Sequence, residues 1–285
     1  MGLVIGALML CWAAGWAWPS HGQQLPGDPP KETTTTVPSR SESWTSPPPL
    51  KLISALGEQL EYTVSWANYL IAARLTLHLK EFSTGSVSDR SPTLPVLKRD
   101  GLQLTAQART VGVVRSLFIA VDDQFISYVD PETLLPFRFE KRLREGKRQV
   151  DLATVFDQKD KVARTEEDKP IAIEPDTRDA LALLYSLRTL DLSSGKTYRL
   201  PLLFDDEPSI VIASPEQQGR IQTAAGSFEA IEVALRAEES RGKKKEITDV
   251  YRVRVWLSND ERRLPALITA RPSFGEVKVE LINSR

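Results

Sequence analysis

The side chains that most often carry covalent or metal chemistry are scarce in this sequence. There is one cysteine, Cys11, and there are two histidines, His21 and His78. Cys11 and His21 both fall in the first 22 residues, which read below as a removable leader. Without that segment no thiol is left for nucleophilic attack, for a disulfide, or for ligating zinc or iron–sulfur clusters. A serine–histidine pair would have to use His78, and no multi-histidine metal site can be built. His78 shares the polar side of an alternating run with Arg74, Thr76 and Lys80, where a surface imidazole is expected rather than a base.

Glycoside hydrolysis needs two facing carboxyl groups, and Asp179, Asp260 and Glu261 are the candidates. Asp179 has a sufficient structural role at the start of a helix, and Asp260 has one in the turn Asn259-Asp260. Phosphate-binding loops are absent, so no catalytic residue, metal or cofactor is expected. The most informative charge is Arg188, which follows the helix and precedes Asp191. It could complement the helix C-terminus and pair locally with Asp191. It could instead stand at the mouth of a cavity and grip an anionic head group. Tyr62, Trp66, Tyr185 and Trp256 join it as candidate ligand-facing residues, each equally suited to a core or rim position.

The elements that must position these residues begin after a composite N-terminus. Met1 to Trp18 carries no charged side chain, and Leu3 to Leu10 is a hydrophobic run of signal-peptide type. Pro19 breaks any helix there, and Ser20-His21-Gly22 supplies small residues for cleavage after Gly22. The rival readings are an uncleaved anchor, with membrane association following from it, and a lipoprotein. The lipoprotein is disfavoured because Leu10, not a small residue, precedes Cys11. Residues 23–50 are rich in Pro, Thr and Ser, including four threonines at 33–36 and three prolines at 47–49. Such a segment cannot offset its ordering entropy by burial and reads as a disordered tether. These features place the protein in the periplasm or cell envelope.

Residues 51–285 then read as one antiparallel β domain. Leu60, Tyr62, Val64 and Trp66 alternate with polar residues, as do Ile71, Ala73, Leu75, Leu77 and Leu79. Tyr251, Val253, Val255 and Leu257 alternate with Arg252, Arg254 and Trp256. This period of two marks a sheet with one buried face. Glu145-Gly146-Lys147 and Arg241 to Lys245 read as hairpin tips, and Asp205 to Pro208 as a turn. One helix interrupts the pattern: Asp176 is a plausible N-cap with Asp179 at the third helical position. The following Ala180 to Leu187 is apolar nearly all round, as a surrounded helix is. The expected architecture is mainly β, a curled antiparallel sheet (a half-barrel or β-spiral) wrapping one central helix. With 37 Lys+Arg against 38 Asp+Glu, there is no electrostatic footprint for nucleic acid.

Several separated motifs carry a resemblance. They are Gly57 to Trp66, Asp179 to Leu190, Ala225 to Ala230, Val255 to Pro265, and Gly275 to Leu281. Together they resemble the bacterial exported family known as domain of unknown function 3108, over essentially the whole domain. The resemblance implies an envelope protein with a lipoprotein-carrier-like curled sheet, and it brings no catalytic residues. The long tether and the pair Tyr185-Ser186, where two aromatics are common, depart from the pattern. The function expected is a non-catalytic envelope protein binding a lipid, amphipathic or glycan component in a concave sheet. The alternative is a structural or interaction scaffold near the wall, and a carbohydrate-active enzyme is the third reading.

Overall fold

A computed structural model describes residues 55–67, 70–83, 100–166, 169–241, 244–272 and 275–285. The leader and tether lie outside the described residues. The first half of the chain forms β1 (Gln59–Trp66), β2 (Leu70–Phe82), β3 (Gly101–Thr110), β4 (Asp122–Val129), β5 (Pro136–Glu145), β6 (Arg148–Asp157), β7 (Val162–Thr165) and β8 (Pro170–Ala172). A helix, α1 (Ala180–Leu187), follows. The second half forms β9 (Tyr198–Phe204), β10 (Glu207–Thr223), β11 (Gly226–Arg241), β12 (Lys244–Ser258), β13 (Pro265–Ala270) and β14 (Val277–Ser284).

All these strands belong to one antiparallel sheet of 14 strands, in the order β8 to β1 and then β14 to β9. Consecutive strands pair throughout each half, and β1 also pairs with β14. Two meanders therefore join through the first and last strands, and the sheet is not closed. Its free edges, β8 and β9, are neighbours in sequence, and α1 lies in the connection between them.

That connection is tied to both sides of the opening. Ile173 N donates to Lys161 O at 3.0 Å, while Arg178 N donates to Pro201 O at 2.9 Å and Leu203 N to Arg178 O at 2.8 Å. Gln158 Nε2 donates to Thr177 O at 2.8 Å. Arg199 adds an ion pair to Glu174 at 2.6 Å.

The alternation read from the sequence holds through most of the core. Leu60, Tyr62, Val64, Ala73, Leu75, Leu77 and Leu79 are buried, as are Val253, Val255 and Leu257. It fails where β1 and β2 bulge. The register runs Val64↔Ala73 and then Ser65↔Ile71, and one extra residue turns the following side chains outward. Trp66 and Ile71, which share a parity with buried neighbours, are exposed by 41% and 47%. Another bulge, between Pro215 and Gln218, lets β10 run unbroken over its 17 residues. Proline is tolerated there because a bulge does not need its missing N–H.

The helix starts differently from the sequence reading. Asp179, not Asp176, is the N-cap: it is extended, and its side chain accepts from Ala182 N. Asp176 instead takes a positive φ of 61° in the preceding turn. The helix has eight residues; Leu181, Ala182, Leu183, Tyr185, Ser186 and Leu187 are buried. It packs against β3, β4 and β9. No helix among the described residues is long and apolar enough to cross a membrane.

Candidate functional site

Two features flank α1: a buried polar cluster at its C-terminal end, and an apolar cavity along its side. The cluster centres on Arg188, the C-cap residue. Its Nη1 and Nη2 donate to the two carboxylate oxygens of Glu58 at 2.7 and 3.0 Å. Nη2 also donates to Arg262 O at 2.9 Å. The guanidinium lies 5.1 Å from the Tyr185 ring centroid. The Arg188 and Glu58 side chains are 3% and 4% exposed. Burial alone would lower the arginine's pKa, but the hydrogen bonds and charge of Glu58 outweigh it and hold the value above normal. The anion met by Arg188 is thus internal. The pair ties the end of α1 to the residue before β1 and to the β12–β13 turn.

Tyr62 and Tyr185 complete the cluster. Burial, and then mutual repulsion with Tyr185, raises the Tyr62 pKa well above normal. Burial likewise raises that of Tyr185. The two phenol oxygens and Arg188 Nε find no hydrogen-bond partner among the described residues, so this cluster holds unspent hydrogen-bonding capacity. The structure therefore brings Arg188, Tyr185 and Tyr62 together and adds Glu58, which sequence reasoning missed. Glu58 stands 130 residues away in sequence, and no local spacing signals the pairing. The expected partner, Asp191, instead binds Lys196 and Ser193.

The other end of α1 is also polar and buried. Asp179 Oδ1 accepts from Ala182 N at 2.9 Å, and its other oxygen accepts from Ser127 Oγ. Burial raises the Asp179 pKa to about 6, against the lowering effect of these hydrogen bonds. Arg178, fully buried beside it, donates from Nε to Ser186 Oγ at 2.9 Å and from Nη1 to Asp176 O at 2.6 Å. Burial lowers its pKa to about 10. Arg178 and Ser127 were not legible as site residues, because nothing in their local sequence marks them.

Asp260 lies in its expected turn, where Oδ1 accepts from Ser258 Oγ, Arg262 N and Arg263 N. That turn reaches the C-terminal end of α1 through Arg262, whereas Asp179 caps the start. About 12 Å of helix separates those ends, so the two carboxylates do not face each other across a bond. Glu261 is exposed, and His78 is half-buried on the outer face of β2.

The cavity has a volume of about 80 Å³. It lies between α1, which contributes Leu183 and Leu184, and strands contributing Leu75, Leu77, Val255 and Ile268 among others. Every lining residue is Leu, Ala, Val, Ile or Phe. None of Arg188, Tyr185, Tyr62, Trp66 and Trp256 lines it. Trp66 stands at the far end of β1 from Glu58. Trp256 is half-buried between Val255 and Leu257, which face the opposite way.

The fold has a solved counterpart. A β-barrel-like protein of domain of unknown function DUF1849 from Brucella abortus superposes with a TM-score of 0.51 at 10% identity, covering 80% of this chain and 97% of its own. A candidate lipoprotein from Parabacteroides distasonis gives a TM-score of 0.34 at 9% identity, covering 81% and 95%. A candidate exported protein with a YmcC-like fold from Bacteroides fragilis gives 0.34 at 9%, covering 81% and 96%. At such identities the first likeness is one of fold alone. No curated protein matches the sequence. The motifs at Gly57 to Trp66, Asp179 to Leu190 and Gly275 to Leu281 nevertheless point to one family, and its model matches residues 61–282: the chain belongs to the proteins of unknown function DUF3108.

Proposed function

We propose that this protein is a non-catalytic component of the cell envelope, exported by its N-terminal segment, whose curled sheet wraps α1 and holds an apolar or amphipathic ligand between the two. The observation that carries this reading is the cavity. Its lining is wholly apolar, and it is shared between the helix and strands from both meanders. A site of this kind favours hydrocarbon over water. At about 80 Å³ it is smaller than the roughly 150 Å³ engineered cavity that admits benzene. It suits part of an alkyl chain entering beside half-buried Leu184 and Leu235, with α1 yielding as the chain goes in. In this reading Glu58 and Arg188 hold the helix end in place. The Tyr62 and Tyr185 hydroxyls, buried without a hydrogen-bond partner among the described residues, are the groups left to meet a polar end.

The test is titration with an alkyl-chain fluorophore, cis-parinaric acid, of the wild-type protein and of Leu184→Trp and Leu235→Trp. Each indole would fill the cavity from a half-buried position on a different element. Saturable binding that weakens at least about tenfold in both variants, roughly 1.4 kcal/mol, with unchanged unfolding midpoints, is expected. Equal binding in all three proteins would place the probe elsewhere and remove the cavity from the account.

A further inference from the structure

The large apolar side chains exposed among the described residues are Trp66, Ile71, Val113, Leu117, Phe118 and Leu152. All but Leu152 gather at one end of the sheet. Trp66 pairs with Leu70 and Ser65 with Ile71 where β1 turns into β2. Beside them the β3–β4 connection leaves the sheet, with Val111 N donating to Ala72 O at 3.0 Å.

This connection contains a single π-helical turn, Val114–Phe118. Its base is held firmly. Thr110 Oγ1 donates to Ile119 O and accepts from Val121 N, both at 2.9 Å. Val114 points inward and is buried, while Leu117 and Phe118 point out and are 75% and 78% exposed. A rigid projection thus carries adjacent Leu and Phe side chains into solvent, an arrangement that marks an interaction site.

The charged side chains on the projection itself and on the hairpin tip beside it are basic. The β5–β6 hairpin tip packs alongside, with Gly146 N donating to Ala120 O at 2.8 Å. Segments 111–121 and 146–150 contain Arg115, Lys147 and Arg148 and no Asp or Glu, in a chain of net charge −1. The adjoining carboxylates are engaged. Asp122 is bound by Arg109 and Glu145 by Arg148, while Asp123 accepts from Arg144 N.

We infer that this end of the sheet docks on an anionic phospholipid bilayer, with Leu117 and Phe118 entering the boundary between head groups and acyl chains and Arg115 and Lys147 meeting lipid phosphates. Apolar side chains ringed by cations match the two forces that hold a protein on such a surface. A bilayer requires no matching shape. The inference stands apart from the cavity and does not depend on it.

The test uses the full chain with Cys11→Ser and a nitrobenzoxadiazole label on Phe118→Cys. A control carries the label on Arg220→Cys, exposed near the β10–β11 turn. Vesicles are phosphatidylcholine with and without phosphatidylglycerol. The label reports its own surroundings, so attachment through the leader alone gives no signal. A blue shift at position 118 with phosphatidylglycerol vesicles, and none at position 220, is expected. Leu117→Ser, and separately Arg115→Glu with Lys147→Glu, should each weaken this response at least about tenfold. Three results would overturn the inference: no shift at 118, an equal shift at 220, or a shift that grows with protein concentration in the absence of vesicles.

Discussion

At the scale of single residues, the account rests on charges that are buried and paired. Glu58 and Arg188 lie out of water, and each is the other's principal compensation. Removing one leaves an uncompensated buried charge, at a cost of about 3–5 kcal/mol. Glu58→Ala or Arg188→Ala should therefore lower the unfolding free energy by that amount. Glu58→Ala combined with Arg188→Ala should cost clearly less than the sum of those single changes. A denaturant double-mutant cycle on the pair reads the coupling, and additive losses would show that the pair does not act as a unit. Asp179 makes a separate prediction. Its folded pKa of about 6 lies above the 3.8 of an ordinary aspartate, so between those values the folded state holds more protons than the unfolded one. Stability then falls as pH rises from about 4 to 6 and levels off above, a change of about 3 kcal/mol. Asp179→Asn should flatten this window in unfolding midpoints measured across pH. A midpoint that rises with pH equally in both proteins would contradict it. Little of this was legible beforehand. Arg188 drew attention as a charge beside an apolar helix, but local rules could only offer Asp191, and the true partner is brought up by the closing of β1 on β14.

At the scale of elements, the sheet is set by alternation and its departures by close contacts. Gly101, at the start of β3, is one such contact. A Cβ there would stand 2.5 Å from Val129 O and 3.1 Å from the Phe137 ring. Gly101→Ala should cost about 1–3 kcal/mol, seen as a lower thermal midpoint, because backbone on β4 would have to move. A midpoint equal to wild type would mean that β3 and β4 shift apart freely. The helix is the opposite case. With eight residues it is too short to persist alone, so a peptide spanning residues 173–195 should show no helical circular dichroism. The period-two runs were readable because every second side chain is either in the core or in water. The bulges at Val64/Ser65 and Pro215/Gln218 were not, since an extra residue leaves no compositional mark. Trp66 and Ile71 were consequently assigned to the wrong face. The N-cap was assigned three residues early because Asp176 and Asp179 have the same chemistry, and only the backbone decides between them.

At the scale of the whole molecule, the order of strands makes α1 the link between the two free edges. The expectation of one mainly β, antiparallel sheet followed from the strand patterns, and the family from motifs spread along the chain. The ties holding the connecting segment to Lys161, Gln158 and Pro201 could not be foreseen, because two are backbone partners and the third a side-chain amide on a backbone carbonyl, all set by tertiary placement and not by local sequence. That arrangement gives the cavity its two walls, one on a short helix and one on strands of both meanders, and so makes its contents the central claim. Native mass spectrometry of the protein, gently isolated from the envelope fraction of its own cells, tests that claim most directly. The account predicts an adduct of lipid or other alkyl-chain mass on the wild-type protein that is lost in both Leu184→Trp and Leu235→Trp. A clean unliganded mass for the wild type, or an adduct retained equally by both variants, would contradict it.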